Sequence, residues 1–192
     1  MLINLNDSPV NNYRMFLAII PPTTVQHAII ESNRKLESQL NNPYIQWHPP
    51  LKLHITIRFI ANLPCLLLPK LQFNLENALM NFSKFKIKLG CPTLFPSSKN
   101  AVAIVYRASP FTNLLQLHQL VEKEISHLGI DKEKLSYRPH LTIAKVNHCN
   151  IKQLPNIDYQ AIPEFWAKQL ILFESDPKSN KMNYTPICHF SL

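Results

Sequence analysis

Glycine is the residue this chain does without: only Gly90 and Gly129 occur in 192 positions. P-loops and dinucleotide-binding turns need several glycines to bring backbone N–H groups up to a phosphate, so both are excluded. The four cysteines, Cys65, Cys91, Cys149 and Cys188, form no C-x-x-C pair, which removes zinc-ribbon and redox spacings and leaves ordinary thiols. H-E-x-x-H is absent, so a His-ligated metal hydrolase has no support. Long apolar runs are missing too: the most apolar window, 63–71, is broken by proline and lysine and cannot span a bilayer. Residues 1–14 lack a cationic stretch followed by an apolar one, so no secretory signal is read and a cytoplasmic protein is expected. Acidic residues are scarce, 12 against 20 basic ones, giving a net charge of +8. That excess favours polyanionic partners such as RNA, although much of it is dispersed lysine that mainly serves solvation.

Against these absences stands a short pattern written twice. Residues 54–57 read His-Ile-Thr-Ile and residues 140–143 read His-Leu-Thr-Ile, 86 residues apart. Chance placement of the histidines and threonines predicts roughly 0.3 His-x-Thr triplets in the chain. Strand side chains alternate between faces, so each histidine shares a side with its threonine. Simple alternation puts Leu53, Ile55, Ile57 and Phe59 on a core face, and Lys52, His54, Thr56 and Arg58 on the other.

The surrounding chain reads as an α+β protein, with residues 1–12 a loose lead-in and 13–192 one two-lobed domain. The run 13–20, stopped by Pro21-Pro22, suits a buried strand; 24–40 has helical spacing, and 44–50 is a short extended piece. Leucines at steps of four and three mark a helix over 66–82. Strands are expected at 84–90, ended by Gly90, and at 101–108; the clearest helix covers 111–129 and carries His118 and His127 on its surface. After the second motif, 147–163 reads as loop, 165–175 as one strand, 176–183 as a turn and 184–192 as a last strand. Each motif strand follows a helix, and this two-fold rhythm suggests two similar lobes whose motif strands line one groove.

These residues resemble the two-histidine phosphoesterases, specifically the RNA 2′,3′-cyclic phosphodiesterases also called 2′-5′ RNA ligases. The landmarks are 14-RMFLAIIPP-22, 47-WHPPLKLHITIRFI-60, 90-GCPTLFPSS-98, 118-HQLVEKEISHLGI-130 and 137-YRPHLTIAK-145. The resemblance implies a bilobal α+β fold, two pseudo-symmetric lobes of antiparallel sheet with outer helices, around a central groove carrying both motifs. It implies a substrate of RNA with 2′,3′-cyclic phosphate ends, tRNA fragments among them, or nucleotide cyclic phosphates, and a monomer that needs no cofactor or metal. His54 is then the proton donor to the leaving 3′-oxygen and His140 the proton acceptor from water, giving a 2′-phosphate.

Imidazole suits either role near neutrality, and hydroxyls of Thr56 and Thr142 beside it can hold non-bridging oxygens. The residues themselves do not say which histidine is acid and which base. Arg58 is a candidate for phosphate or backbone binding, with a plain surface cation as the other reading. Lys145 fills a place where the family has a cation near phosphate, but alternation puts it opposite His140 unless a bulge intervenes. Arg138 and Tyr137 flank the second motif, and Phe16 offers a ring for a base or for the core. His48, His148 and His189 carry no assignment. The same groove could run in reverse as an ATP-independent 2′-5′ RNA ligase, or serve as a non-catalytic RNA-binding module.

Overall fold

The computed structural model describes residues 12–147, 151–159, 161–176 and 183–192. All of the expected lead-in over 1–12 except Asn12, together with His148, Cys149 and most of the expected turn at 176–183, lies outside them. Two apolar runs separated by a helix recur: β1 (Asn12–Ile19), α1 (Thr23–Leu40) and β3 (Ile55–Pro64), then β5 (Ala103–Ser109), α3 (Phe111–Ser126) and β6 (His140–Val146). The remaining elements are β2 (Ile45–Trp47), α2 (Leu68–Leu79), β4 (Phe85–Phe95), β7 (Phe165–Ala167), β8 (Gln169–Asp176) and β9 (Asn183–Ser191).

The nine strands of the described residues join one antiparallel sheet in the order β7-β4-β5-β6-β3-β1-β8-β9, with β2 alongside β6. The two motif strands are therefore central neighbours, joined through the single pair Ile55–Leu141. To one side lie β1, β8 and β9, to the other β5, β4 and β7; these are the two lobes, and the seam between β3 and β6 is the groove.

The helices cover the opposite face and exchange partners. α1 leaves β1 yet packs behind the other lobe, where Tyr106 of β5 donates its hydroxyl to Asn33 at 3.0 Å and Ser32 at 3.3 Å. α3 leaves β5 and packs behind β3, where His118 Nδ1 bonds the Ile57 carbonyl at 2.8 Å. His118 is thus 8% exposed, not a surface residue: its ring stacks on Tyr137 and fills the gap between helix and strand.

Several boundaries differ from the sequence reading, and two of the differences follow directly from strand pairing. β4 runs past Gly90 to Phe95, because a bulge between Leu89 and Pro92 lets the strand keep pairing with β5. The stretch 165–175 is two strands, since Phe165–Ala167 pairs with β4 whereas the chain beyond Lys168 pairs with β1 and β9. Among the described residues no helix is long and apolar enough to cross a membrane.

Candidate active site

Ile55 and Leu141 face each other and are wholly buried on the helix side. Extending that register puts His54 across from Thr142 and Thr56 across from His140, and alternation from the buried pair puts all four on the face away from the helices. Diagonal neighbours on paired antiparallel strands lie about 7–8 Å apart at Cα, and the two imidazoles are near enough for His140 to act on the His54 pKa.

Each imidazole is held in the same way. His54 Nδ1 lies 2.8 Å from the Lys52 carbonyl and His140 Nδ1 2.6 Å from the Arg138 carbonyl, in both cases two residues back. A carbonyl only accepts, so Nδ1 carries the proton and Nε2 is left as the working nitrogen. Burial pushes the pKa of both histidines down. At His54 the carbonyl bond opposes this and the nearby His140 adds to it; at His140 the Arg138 carbonyl opposes and the Arg138 charge adds. Each ring rests on a phenylalanine, His54 on Phe16 at 5.0 Å and His140 on Phe95 at 4.3 Å.

A bulge follows each motif at the same position. β1 pairs Leu17 with Arg58 and Ala18 with Thr56, so Ile57 is an extra residue; β5 pairs Ile104 with Ala144 and Val105 with Thr142, so Ile143 is another. One extra residue reverses the faces of everything beyond it. Hence Phe59, expected in the core, enters the groove, and Arg58, expected there, is 4% exposed beneath it. The Arg58 guanidinium is taken up by the protein: it pairs with Glu122 at 2.5 Å, reaches Glu133 at 3.6 Å and bonds the carbonyls of Phe59 and Asp131. The second bulge does for Lys145 what alternation could not, returning it to the side of His54 and Thr56.

Where β3 diverges from β6, side chains stand in for the missing strand partner. Tyr137 donates to the Thr56 carbonyl at 3.3 Å, His118 to that of Ile57, and Arg58 to that of Phe59. Burial and the Glu133 charge hold the Tyr137 hydroxyl well above its ordinary pKa, so it remains a donor. Ligand atoms of His118, Glu122 and Glu133 come within 4.8 Å of one another, but the Arg58 guanidinium already fills the role of cation there.

Two of the recesses along the groove share Thr56. One, of about 240 Å³, is lined by Arg14, Phe16, His54, Thr56, Phe59, Lys145, Ser175 and Tyr184. The other, of about 350 Å³, holds Thr56, Phe95, Tyr137, Arg138 and His140. An arginine covers a phenylalanine in each half: Arg14 over Phe59 at 4.4 Å and Arg138 over Phe95 at 4.9 Å. Sequence reasoning missed Arg14, Phe95 and Tyr184; strand pairing alone brings them here. A larger recess of about 500 Å³ lies behind Phe59 and contains neither histidine. His48 sits beside the site, its pKa lowered to about 4 chiefly by burial and then by the Lys145 charge.

A family model described as the 2′-5′ RNA ligase superfamily matches residues 21–168. The chain belongs to that superfamily. It is 28% identical over 182 residues to the RNA 2′,3′-cyclic phosphodiesterase of Methanocaldococcus jannaschii, covering 91% of this chain and 98% of that one. Its fold is that of a Thermus thermophilus protein (TM-score 0.77, 22% identity, 93% and 97% of the two chains). It is likewise that of Escherichia coli LigT in its apo form (TM-score 0.74, 17% identity, 94% and 97%), a protein also crystallised with 3′-AMP.

Proposed function

We propose that this protein is a phosphodiesterase that opens 2′,3′-cyclic phosphates at RNA ends to 2′-phosphomonoesters. The observation that carries the reading is the matched pair of histidines, each with Nδ1 tied to the carbonyl two residues back, which leaves Nε2 for chemistry, and each lining a recess that also holds Thr56. The name of the M. jannaschii relative supports the substrate, and the 3′-AMP bound to LigT supports a nucleotide-sized ligand in this fold.

Water attacks phosphorus from the His140 side and its proton passes to His140 Nε2. The P–O3′ bond breaks opposite, and His54 Nε2 protonates the departing 3′-oxygen. The product is a 2′-phosphate with a free 3′-hydroxyl; His54 ends neutral, His140 ends protonated, and solvent restores both. The family resemblance, not the local geometry, is what supports giving His54 and His140 these separate parts. Thr56 and Thr142 hold the non-bridging oxygens, and Lys145 offsets their charge; a well-placed donor of this kind accounts for roughly 10²-fold or more in rate.

The test is end-group analysis of a short RNA ending in a 2′,3′-cyclic phosphate, run with EDTA present. A 2′-phosphate product, lost in His54→Ala and His140→Ala, is expected; unaltered RNA with the native protein would refute the reading. A substrate with sulfur replacing the bridging 3′-oxygen needs no acid, and should restore turnover to His54→Ala but not to His140→Ala.

A further inference from the structure

The two halves of the groove match in backbone and differ in charge. On the His140 side, strand registers place a line of cations on the groove face. Arg107 pairs with His140, Lys88 pairs with Ser109 two residues further along β5, and Lys86 pairs with Trp166 on β7. Lys84, just ahead of β4, has the same parity. The Lys86 and Lys84 ammonium groups lie 5.6 and 5.8 Å from the Trp166 ring centroid. Arg107, Lys84, Lys86, Lys88 and Trp166 are all exposed, and among the described residues none of these cations is ion-paired. On the His54 side the corresponding strands, β8 and β9, contain no lysine or arginine and offer Phe173, Pro186 and His189 to the same face.

A 2′,3′-cyclic phosphate ends its chain, so RNA can leave the groove only in the 5′ direction and along one of these halves. With strands about 4.8 Å apart, the line from His140 to Trp166 crosses roughly 14 Å of sheet, enough for several phosphates. Phosphates need cations, and unpaired bases need a ring to stack on; among the described residues the β5-β4-β7 face carries both out beyond the groove, whereas the cations of the His54 half, Arg14 and Lys145, line the recess itself.

We infer that this face is a binding path for the nucleotides upstream of the cyclic end, with Arg107, Lys88, Lys86 and Lys84 on successive phosphates and Trp166 against a base. The inference rests on the phosphodiesterase reading for the position of the 3′ end, and it makes the substrate a single-stranded RNA chain rather than a free mononucleotide.

The test compares kcat/KM for an eight-nucleotide RNA ending in a 2′,3′-cyclic phosphate with that for cyclic mononucleotides, in the native protein and in the Lys86→Ala/Lys88→Ala variant. The native protein should prefer the octamer, and the variant should lose roughly tenfold of that preference, through KM. Its log–log salt slope on the octamer should fall by about 1.4, the share of two single-strand phosphate contacts. Equal use of both substrates by the native protein, or an undiminished preference in the variant, overturns the path. Were neither substrate turned over, the activity reading would fail by itself. Fluorescence anisotropy with a labelled octamer bearing a 2′-phosphate would then decide: weaker binding by the variant supports the path, and equal binding removes it.

Discussion

Phe59 and Lys145 occupy equivalent places in the two halves of the sheet. Each stands five residues past its histidine, and a bulge at Ile57 or Ile143 turns each into the same recess. One half thus delivers a ring and the other a cation to the His54 side of the groove.

Removing that cation while keeping its length tests its part. Lys145→Met should lower kcat/KM for a cyclic phosphate by about tenfold or more, the scale of one charge-assisted phosphate contact. Steady-state kinetics that leave kcat/KM untouched would move Lys145 out of the site.

Arg58 should matter for folding first. Its guanidinium is buried against Glu122, with the part-exposed Glu133 farther off, and losing it leaves the largely buried Glu122 carboxylate uncompensated, at about 3–5 kcal/mol. Arg58→Met should therefore shift the urea midpoint strongly downward. Arg58→Lys should recover only part of this, because an ammonium cannot span two carboxylates and two carbonyls together. A midpoint equal to that of the native protein would refute the account.

The pH dependence of turnover follows from burial of both imidazoles. Below both lowered pKa values each histidine is protonated and no base remains; above them each is neutral and no acid remains. The bell for kcat/KM, which reports the free enzyme, should peak on the acid side of 6.5, the ordinary histidine value. Bound phosphate favours the charged rings, so the kcat optimum should lie at higher pH. A kcat/KM maximum above neutrality would contradict this.

His48 should make stability itself depend on pH. Its folded pKa, about 4, lies below the unfolded value of 6.5, so between the two the unfolded chain binds more protons. Stability contributed by the neutral ring is present above 6.5 and is lost as pH falls toward 4. Chemical denaturation at pH 7 and pH 4.5 should show a smaller loss in His48→Gln; an identical loss in both proteins would exclude His48 as the source.

The α+β class, the helices and both His-x-Thr strands were legible in sequence because they rest on periodicity and on one repeated tetrad. What escaped it turns on single residues. Alternation cannot reveal where an extra residue is inserted, so Arg58 and Phe59 exchange faces relative to the expected pattern. Gly90 reads as a stop, but β5 offers partners on both sides of the bulge and the strand continues. His118 has a helix-surface spacing, yet that surface is covered by a strand from the other half of the chain.

The reciprocal placement of α1 and α3 has a consequence for how the molecule could be divided. Each half of the sheet leans on a helix that the other half's sequence provides, and the chain crosses back once more at Lys168. Although the architecture looks like two copies of one unit, cutting it between them would strip both of their backing, so the apparent duplicate is indivisible.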